Sequence, residues 1–257
     1  MSESETRWGL ASRDTRGVVT LTLNRPARHN ALSEALLDDL QGQLTELAAD
    51  DSARVVVLTG AGASFCAGAD IGEMRSASPE RLGRVLASLD ALPQPTVARV
   101  QGNAFGGALG LIAACDIALG GEDIQLVFSE VRLGIVPAMI APYVLRAVGA
   151  RTARRLFLTA ERFNGREAAR IGLLHEAMPL DALDSRTAQL VDQLLLGGPR
   201  AQAEAKQLVT QVAGRDPLRD GAVRQETEDR INRLRASAEG QEGLTAFLEK
   251  RPPGWTR

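Results

Sequence analysis

The stretch "PTVARVQGNAFGGALGLIAACDIALGGEDIQLVF", Pro95 to Phe128, decides the fold. Its first part, PTVARVQG, is a short apolar and β-branched run ending on a glycine, which predicts a strand. The apolar residues after the glycine pair predict a helix from about Gly107 to Cys115. Short strands are then expected near Ile117–Leu119 and Gln125–Phe128. Strand, helix and strand follow one another with connections too long for hairpins, the pattern of an α/β chain with parallel pairing.

The same alternation extends toward the N-terminus. "GVVTLTLNRP" reads as a strand closed by a proline turn. "SEALLDDLQGQLTELAAD" places Leu36, Leu37, Leu40, Leu44 and Leu47 at helical spacing, with Ser33 as the N-cap. "ARVVVLTGAG" is a continuous apolar run bounded by glycine, as in a strand buried on both faces. "SFCAGADIGEM" is expected to be a loop entering a short helix, and "SPERLGRVLASLDALP" an amphipathic helix. Beyond Ile140 the chain reads as helical, and from Pro199 to Lys250 almost wholly so. The "LLLGGPRAQ" break around Gly197–Pro199 divides the chain into a core, residues 1–196, and a helical region, residues 197–257.

Composition removes several classes of function. Lys and Arg number 30 against 32 Asp and Glu, whereas a dedicated nucleic-acid surface needs a strong basic excess. Apolar residues at 44% and charged residues at 24% describe an ordinary globular chain. The two cysteines, Cys66 and Cys115, and the two histidines, His29 and His175, form no zinc-type spacing. The polar, acidic start lacks a secretion signal, and no apolar run reaches the roughly 20 residues of a membrane span. A soluble, cytoplasmic protein is expected. The Gly60-Ala61-Gly62 turn after a strand lacks the third glycine of a dinucleotide fingerprint.

Two loop–helix junctions share one design. Ala67-Gly68-Ala69-Asp70 precedes one predicted helical segment, and Phe105-Gly106-Gly107-Ala108 opens another. Small residues leave backbone N–H groups uncovered beside a ligand. A helix starting there adds its own unpaired N–H groups and the positive end of its dipole. Two such amides aimed at one point would hold an oxyanion; close-packed turns are the plainer explanation for either motif alone. Glu130, set between "LVF" and Val131, Leu133 and Ile135, is expected to be partly buried, with a raised pKa suited to proton transfer.

Taken together and in order, "LTLNRPARHNALS", "VVVLTGAGASFCAGADIGEM", "VARVQGNAFGGALGLIAACDIAL", "FSEVRLGIVP", "ARRLFLTAERFNGREAARIGLLHE" and "EGLTAFLEKRPPGW" resemble the enoyl-CoA hydratase/isomerase (crotonase) family. The match spans Leu21 to Trp255, nearly the whole chain. The resemblance implies a spiral of repeated ββα units with a helical C-terminal region that forms trimers or dimers of trimers. It implies an acyl-CoA thioester substrate, with coenzyme A entering as part of that substrate. It implies no separate cofactor, metal or covalent nucleophile; from the charge balance and the lack of a long apolar run, no nucleic-acid or membrane partner is expected. The backbone amides of Ala69 and Gly107 would polarise the thioester carbonyl, and Glu130 would be the catalytic carboxylate. Ala67, Asp70, Ile71 and Gly106 would line the coenzyme A groove with Arg28, and Phe247 and Lys250 would approach the nucleotide end. Arg28 and Lys250 have a second reading as solvated surface charges. Met139, Ile140 and Tyr143 have two readings as well, acyl-pocket lining or plain packing. Apolar positions of the tail, among them Leu208, Val212, Leu218, Ile231, Leu234, Leu244, Phe247 and Leu248, are expected to be buried against other copies.

The sequence departs from the family pattern at one point. Typical hydratases of the family carry a second glutamate in the helix after the glycine pair, and Gly110 stands there. The resemblance to bacterial methylglutaconyl-CoA and isohexenylglutaconyl-CoA hydratases, many of which lack that glutamate, favours hydration of a short branched enoyl-CoA. A Δ3,Δ2-enoyl-CoA isomerase working with one glutamate is the first alternative. A non-catalytic acyl-CoA-binding member is the second.

Overall fold

The computed structural model describes residues 8–70, 72–73, 78–214 and 221–256. Strands β1 (Gly9–Arg13) and β2 (Val18–Leu23) pair antiparallel, and α1 (Glu34–Ala48) follows. Three units then repeat one order of elements. The first is β3 (Val55–Gly60), β4 (Ser64–Cys66) and α2 (Pro79–Ala91). The second is β5 (Thr96–Val100), β6 (Asn103–Phe105) and α3 (Gly107–Ala114). The third is β7 (Ile117–Gly121), β8 (Gln125–Val127), a 3-10 turn at Glu130–Leu133 and α4 (Ala141–Thr159). The chain continues with β9 (Phe163–Asn164), α5 (Gly165–Arg170), β10 (Glu176–Met178) and α6 (Leu180–Leu195). It ends with α7 (Pro199–Val212), α8 (Gly221–Ala236) and α9 (Ala238–Leu248).

The first strand of each unit joins a six-stranded sheet of order β1-β2-β3-β5-β7-β10. The second joins a four-stranded sheet of order β4-β6-β8-β9. The chain therefore crosses between two sheets once per unit, which is the expected ββα spiral. Pairing is parallel apart from β1 with β2 and β8 with β9.

Packing follows the sequence pattern. Ser33 Oγ accepts the Leu36 N–H at 3.2 Å, and all five leucines of α1 are buried. The strand β3 is buried on both faces: Val56 and Leu58 enter the main core, while Val55 and Val57 meet Val18, Val97 and Val191 beneath α6. Helix α3 has no polar side chain and is buried from Ala108 to Ala114, as a helix with no polar face must be.

Several expectations are corrected. Ser64–Cys66 is a strand where a loop was expected, and β1, β6, β9 and β10 carry no signal strong enough to read. These strands have two to five residues, too few to display a period, and apart from β1, whose partner β2 follows directly, their partners lie far along the chain. The region beyond Ile140 is accordingly interrupted by β9 and β10. Helix α3 stops at Ala114, one residue before the expected end. Ile71 and Leu218 lie outside the described residues.

The break between α6 and α7 is clamped from within the core. The Arg54 guanidinium donates to the carbonyls of Trp255 at 2.7 Å, Gly197 at 2.9 Å and Leu195 at 3.3 Å. Lys206 on α7 reaches Asp116 at 2.7 Å, and Asp116 also accepts the Thr96 N–H. On the outside, Phe247 and Leu248 remain 81% and 79% exposed, and Ile231, Leu244 and Val209 are exposed as well. Among the described residues no helix is long and apolar enough to cross a membrane. No cluster of three or more His, Cys, Asp or Glu side chains suited to a metal occurs among them.

Candidate active site

Strands β4, β6 and β8 are neighbours and run parallel, so their C-terminal ends leave the small sheet on one side. Ala69 follows β4, Gly107 follows β6 and Glu130 follows β8. Ligand sites at the carboxyl ends of parallel strands are the general rule for α/β sheets. Three segments far apart in sequence thus bring two backbone amides and one carboxylate to a single place.

The first amide is left open by its neighbours. Ala67 N–H donates to His29 O at 2.9 Å, Gly68 N–H to Cys66 Sγ at 3.4 Å, and Asp70 N–H to Leu32 O at 3.1 Å. Leu32 N–H closes the bridge by donating to Gly68 O at 2.8 Å. Ala69 N–H alone in this run has no acceptor among the described residues, and Ala69 is exposed. Asn30 keeps the platform in place. Fully buried, its amide donates to the carbonyls of Ala61, Ser64 and Phe65, and its Oδ1 accepts the Arg25 N–H at 2.8 Å.

The second amide opens α3. Gly106, at φ 52° and ψ −123°, turns the chain in a conformation that L side chains rarely adopt, and its own N–H donates to Val127 O at 2.9 Å. Gly107 N–H is then the first of the helix and has no intrahelical acceptor. It is aligned with the positive end of the α3 dipole. The two loops touch: a Cβ on Gly68 would stand 2.5 Å from Phe105 O. Leu82 and Leu32 flank Gly107, and Met139 Sδ packs on Gly83 of α2.

Glu130 sits beside the second loop. Its Oε1 lies 3.3 Å from where a Gly106 Cβ would be, and its Oε2 is buried without a hydrogen-bond partner. Burial raises its pKa above the ordinary carboxylate value, and its own backbone N–H offsets part of that effect. Gly110 stands one turn further into α3. A Cβ there would overlap Ile140 Cγ2 and lie 2.8 Å from Ile140 Cβ. The place from which a second carboxylate would project is therefore filled by isoleucine.

The remaining expected residues divide into two groups. Ala67, Asp70 and Gly106 belong to the two loops just described. Asp70 is committed to Arg25, whose guanidinium at 2.9 Å holds its carboxyl below the usual range. Arg28 is exposed at the edge of the same loop. Tyr143 packs on the main core with the Arg146 guanidinium 5.7 Å above its ring. Phe247 and Lys250 lie in the C-terminal region, where α9 packs on α7 and α8. A second groove, of about 470 Å3, lies between the large sheet and α6. Its arginines are each paired with a carboxylate, as in Arg99 with Asp184 at 2.5 Å and Arg16 with Asp192 at 2.7 Å, so it offers an anion no free charge.

Two parts of the site escape sequence reasoning. Asn30 acts on carbonyls 31 to 35 positions away, and Ile140, expected to line the acyl pocket or simply to pack, seats on Gly110, which it meets only in three dimensions. No local pattern marks either one.

The spiral of ββα units and the order of the matching segments belong to one family of enzymes. Residues 13–257 match the family described as enoyl-CoA hydratase/isomerase, and the chain belongs to it. The chain is 34% identical over 250 residues to the 2,3-dehydroadipyl-CoA hydratase of Escherichia coli K12, covering 95% of this chain and 96% of that one. Among solved structures, an enoyl-CoA hydratase from Shewanella pealeana is 38% identical with a TM-score of 0.91, covering 98% of this chain and 97% of its own. Pseudomonas aeruginosa AtuE is also 38% identical, with a TM-score of 0.90 over 97% of this chain and all of its own.

Proposed function

We propose that the protein adds water to, or removes it from, the α,β double bond of a short enoyl-CoA, with a branched, 3-methylglutaconyl-CoA-like thioester as the preferred substrate. The observation that carries this reading is the convergence of Ala69 N–H, Gly107 N–H and Glu130 at the ends of three adjacent strands. The two amides hold the thioester oxygen as it gains negative charge. Ionised Glu130 takes a proton from water as the oxygen bonds to the β-carbon and the double-bond electrons move toward the thioester. The same carboxylate then returns a proton to the α-carbon. The resemblance to hydratases in both comparisons supports hydration, and the branched acyl group rests on the motif resemblance.

A second reading has one observation in its favour. With Ile140 seated where a second acid would project, Glu130 works alone, and a lone base suffices for a 1,3-proton shift in a Δ3-enoyl-CoA. Turnover of 3-methylglutaconyl-CoA, crotonyl-CoA and a 3-enoyl-CoA in 18O-labelled water separates the two. Label in the product supports hydration, unlabelled 2-enoyl-CoA supports isomerisation, and no turnover of any enoyl-CoA removes both.

Both readings start from the ionised carboxylate. Because burial raises the Glu130 pKa, kcat/KM is expected to fall, as pH is lowered, at a pH above the ordinary carboxylate range. A profile flat through that range would contradict the assignment. We further propose that the exposed Phe247, Leu248 and Ile231 are covered by other copies of the chain. Light scattering is expected to give the mass of a trimer or of two trimers, and a monomer at micromolar concentration would refute this.

A further inference from the structure

The segment carrying Glu130 hangs between two buried anchors. It leaves the core at Phe128, 1% exposed, and returns at Pro137 and Ile140, the latter 2% exposed; residues 129–136 are all half-buried or exposed. Phe128 is fixed by an edge-on contact with Phe157 at 5.0 Å and a stacked one with Phe163 at 6.1 Å. The backbone hydrogen bonds within the segment shape it without tying it to the rest of the fold. Ile135 N–H donates to Glu130 O at 3.2 Å, Gly134 N–H to Val131 O at 3.2 Å and Ala138 N–H to Val136 O at 2.8 Å. Among the described residues its backbone hydrogen bonds to another element are those at the start of α4, where Ala141 N–H donates to Pro137 O at 3.0 Å and to Ala138 O at 3.3 Å.

Beside those two bonds, the returning end is fixed by packing on α3. Ile140 rests on the bare Cα of Gly110, where any Cβ would overlap it, and Leu86 Cδ1 lies 3.4 Å from the same Cβ position. Glycine inside a helix costs about 1 kcal/mol relative to alanine, so its presence in the middle of α3 calls for a packing reason, and Ile140 supplies it. Helix α3 is also the element whose first amide, Gly107 N–H, belongs to the site. One contact thus joins the segment of the acid to the helix of the oxyanion donor.

We propose that Ile140, seated on Gly110, is a positioning residue that sets the reach of the Glu130 carboxylate relative to the Gly107 amide. This rests on the catalytic reading above. The Met139 contact with Gly83 is a weaker second tether, because a thioether adapts where a β-branched side chain does not.

The test combines Ile140→Val, Ile140→Ala, Gly110→Ala and Gly110→Ala/Ile140→Ala in the full chain. Steady-state kinetics on the enoyl-CoA turned over by the unaltered protein are read beside hydrogen exchange of residues 129–139. Ile140→Ala and Gly110→Ala are each expected to lower kcat by about 10- to 100-fold, with KM changed by less than about threefold, because the acid is misplaced while the thioester still binds. Ile140→Val, which keeps both branches at Cβ, should stay within about threefold of the unaltered protein. The double variant should recover part of the loss seen in Gly110→Ala, since the overlapping Cγ2 is gone and only the 2.8 Å approach to the Cβ of residue 140 remains. Exchange across 129–139 should rise in Ile140→Ala and not in Ile140→Val.

A folded Ile140→Ala with unchanged kcat, or with exchange unchanged in this segment, overturns the proposal, as does a double variant no better than Gly110→Ala. Glu130→Gln separates the two claims. If it retains full turnover, the catalytic reading fails. If it abolishes turnover while Ile140→Ala is fully active, only the positioning role fails. Should no enoyl-CoA be turned over, the exchange measurement alone still decides whether Ile140 holds the segment.

Discussion

Replacing Glu130 with glutamine is expected to lower kcat on the order of a thousandfold, within the 100- to 10,000-fold range of general acid–base contributions. The substitution keeps the shape of the side chain and removes its ability to exchange a proton. KM is expected to change little, because the amides of Ala69 and Gly107 and the coenzyme A groove are untouched. Stability is expected to move the other way. The folded protein binds the Glu130 proton more tightly than the unfolded chain does, since burial raises its pKa. The resulting stabilisation is present below the ordinary carboxylate range and is lost as pH rises through the raised value. At neutral pH the ionised, partly buried carboxylate opposes folding, so Glu130→Gln should melt at the same temperature or higher. Rate measurements and thermal melts on one preparation test both halves. Near-full activity would remove Glu130 from the mechanism, and a clear loss of stability at neutral pH would contradict its burial as an ionised group.

Gly68→Ala is expected to have the second-largest effect. Gly68 has φ 84°, and a Cβ would stand 2.5 Å from the backbone oxygen of Phe105, so no side-chain rotation can relieve the contact. One of the two touching loops must move, and each holds an amide of the site. Misplacing one oxyanion donor costs on the order of 100- to 1000-fold in kcat. The backbone strain should lower stability by about 1 to 3 kcal/mol. Urea denaturation measures the second quantity, and kinetics at saturating substrate measure the first. A variant with kcat within a few-fold of the unaltered protein would show that the contact between the loops does not set the amides.

The long elements were legible because their patterns are local. The α1 leucines at helical spacing, the run from Val55 to Leu58 and the apolar block of α3 each declare their burial within a few residues. Of the strands that form the small sheet only β8 was legible, as the expected strand near Gln125–Phe128. β4, β6 and β9 have two or three residues each, and only pairing within the small sheet makes them strands. The same division runs through the site. Glycines beside helix starts and a carboxylate among apolar neighbours mark Ala69, Gly107 and Glu130. Asn30, the Gly68–Phe105 contact and the Ile140 plug have no such mark.

By itself the sequence marked the two glycine-rich helix starts and the carboxylate among apolar neighbours, which are matters of residue type and local order, and through the family resemblance it pointed to the class of the chain, the two candidate amides and the gap at Gly110. It left open whether the gap is an empty place, a water site or a filled one. The tertiary structure decided that it is filled by Ile140, and that the three ends of β4, β6 and β8 meet. The reason is physical: a side chain's size is written at its own position, but the space it enters is bounded by residues from other turns of the spiral. Gly110 is small in the sequence, and it is a socket only in the fold.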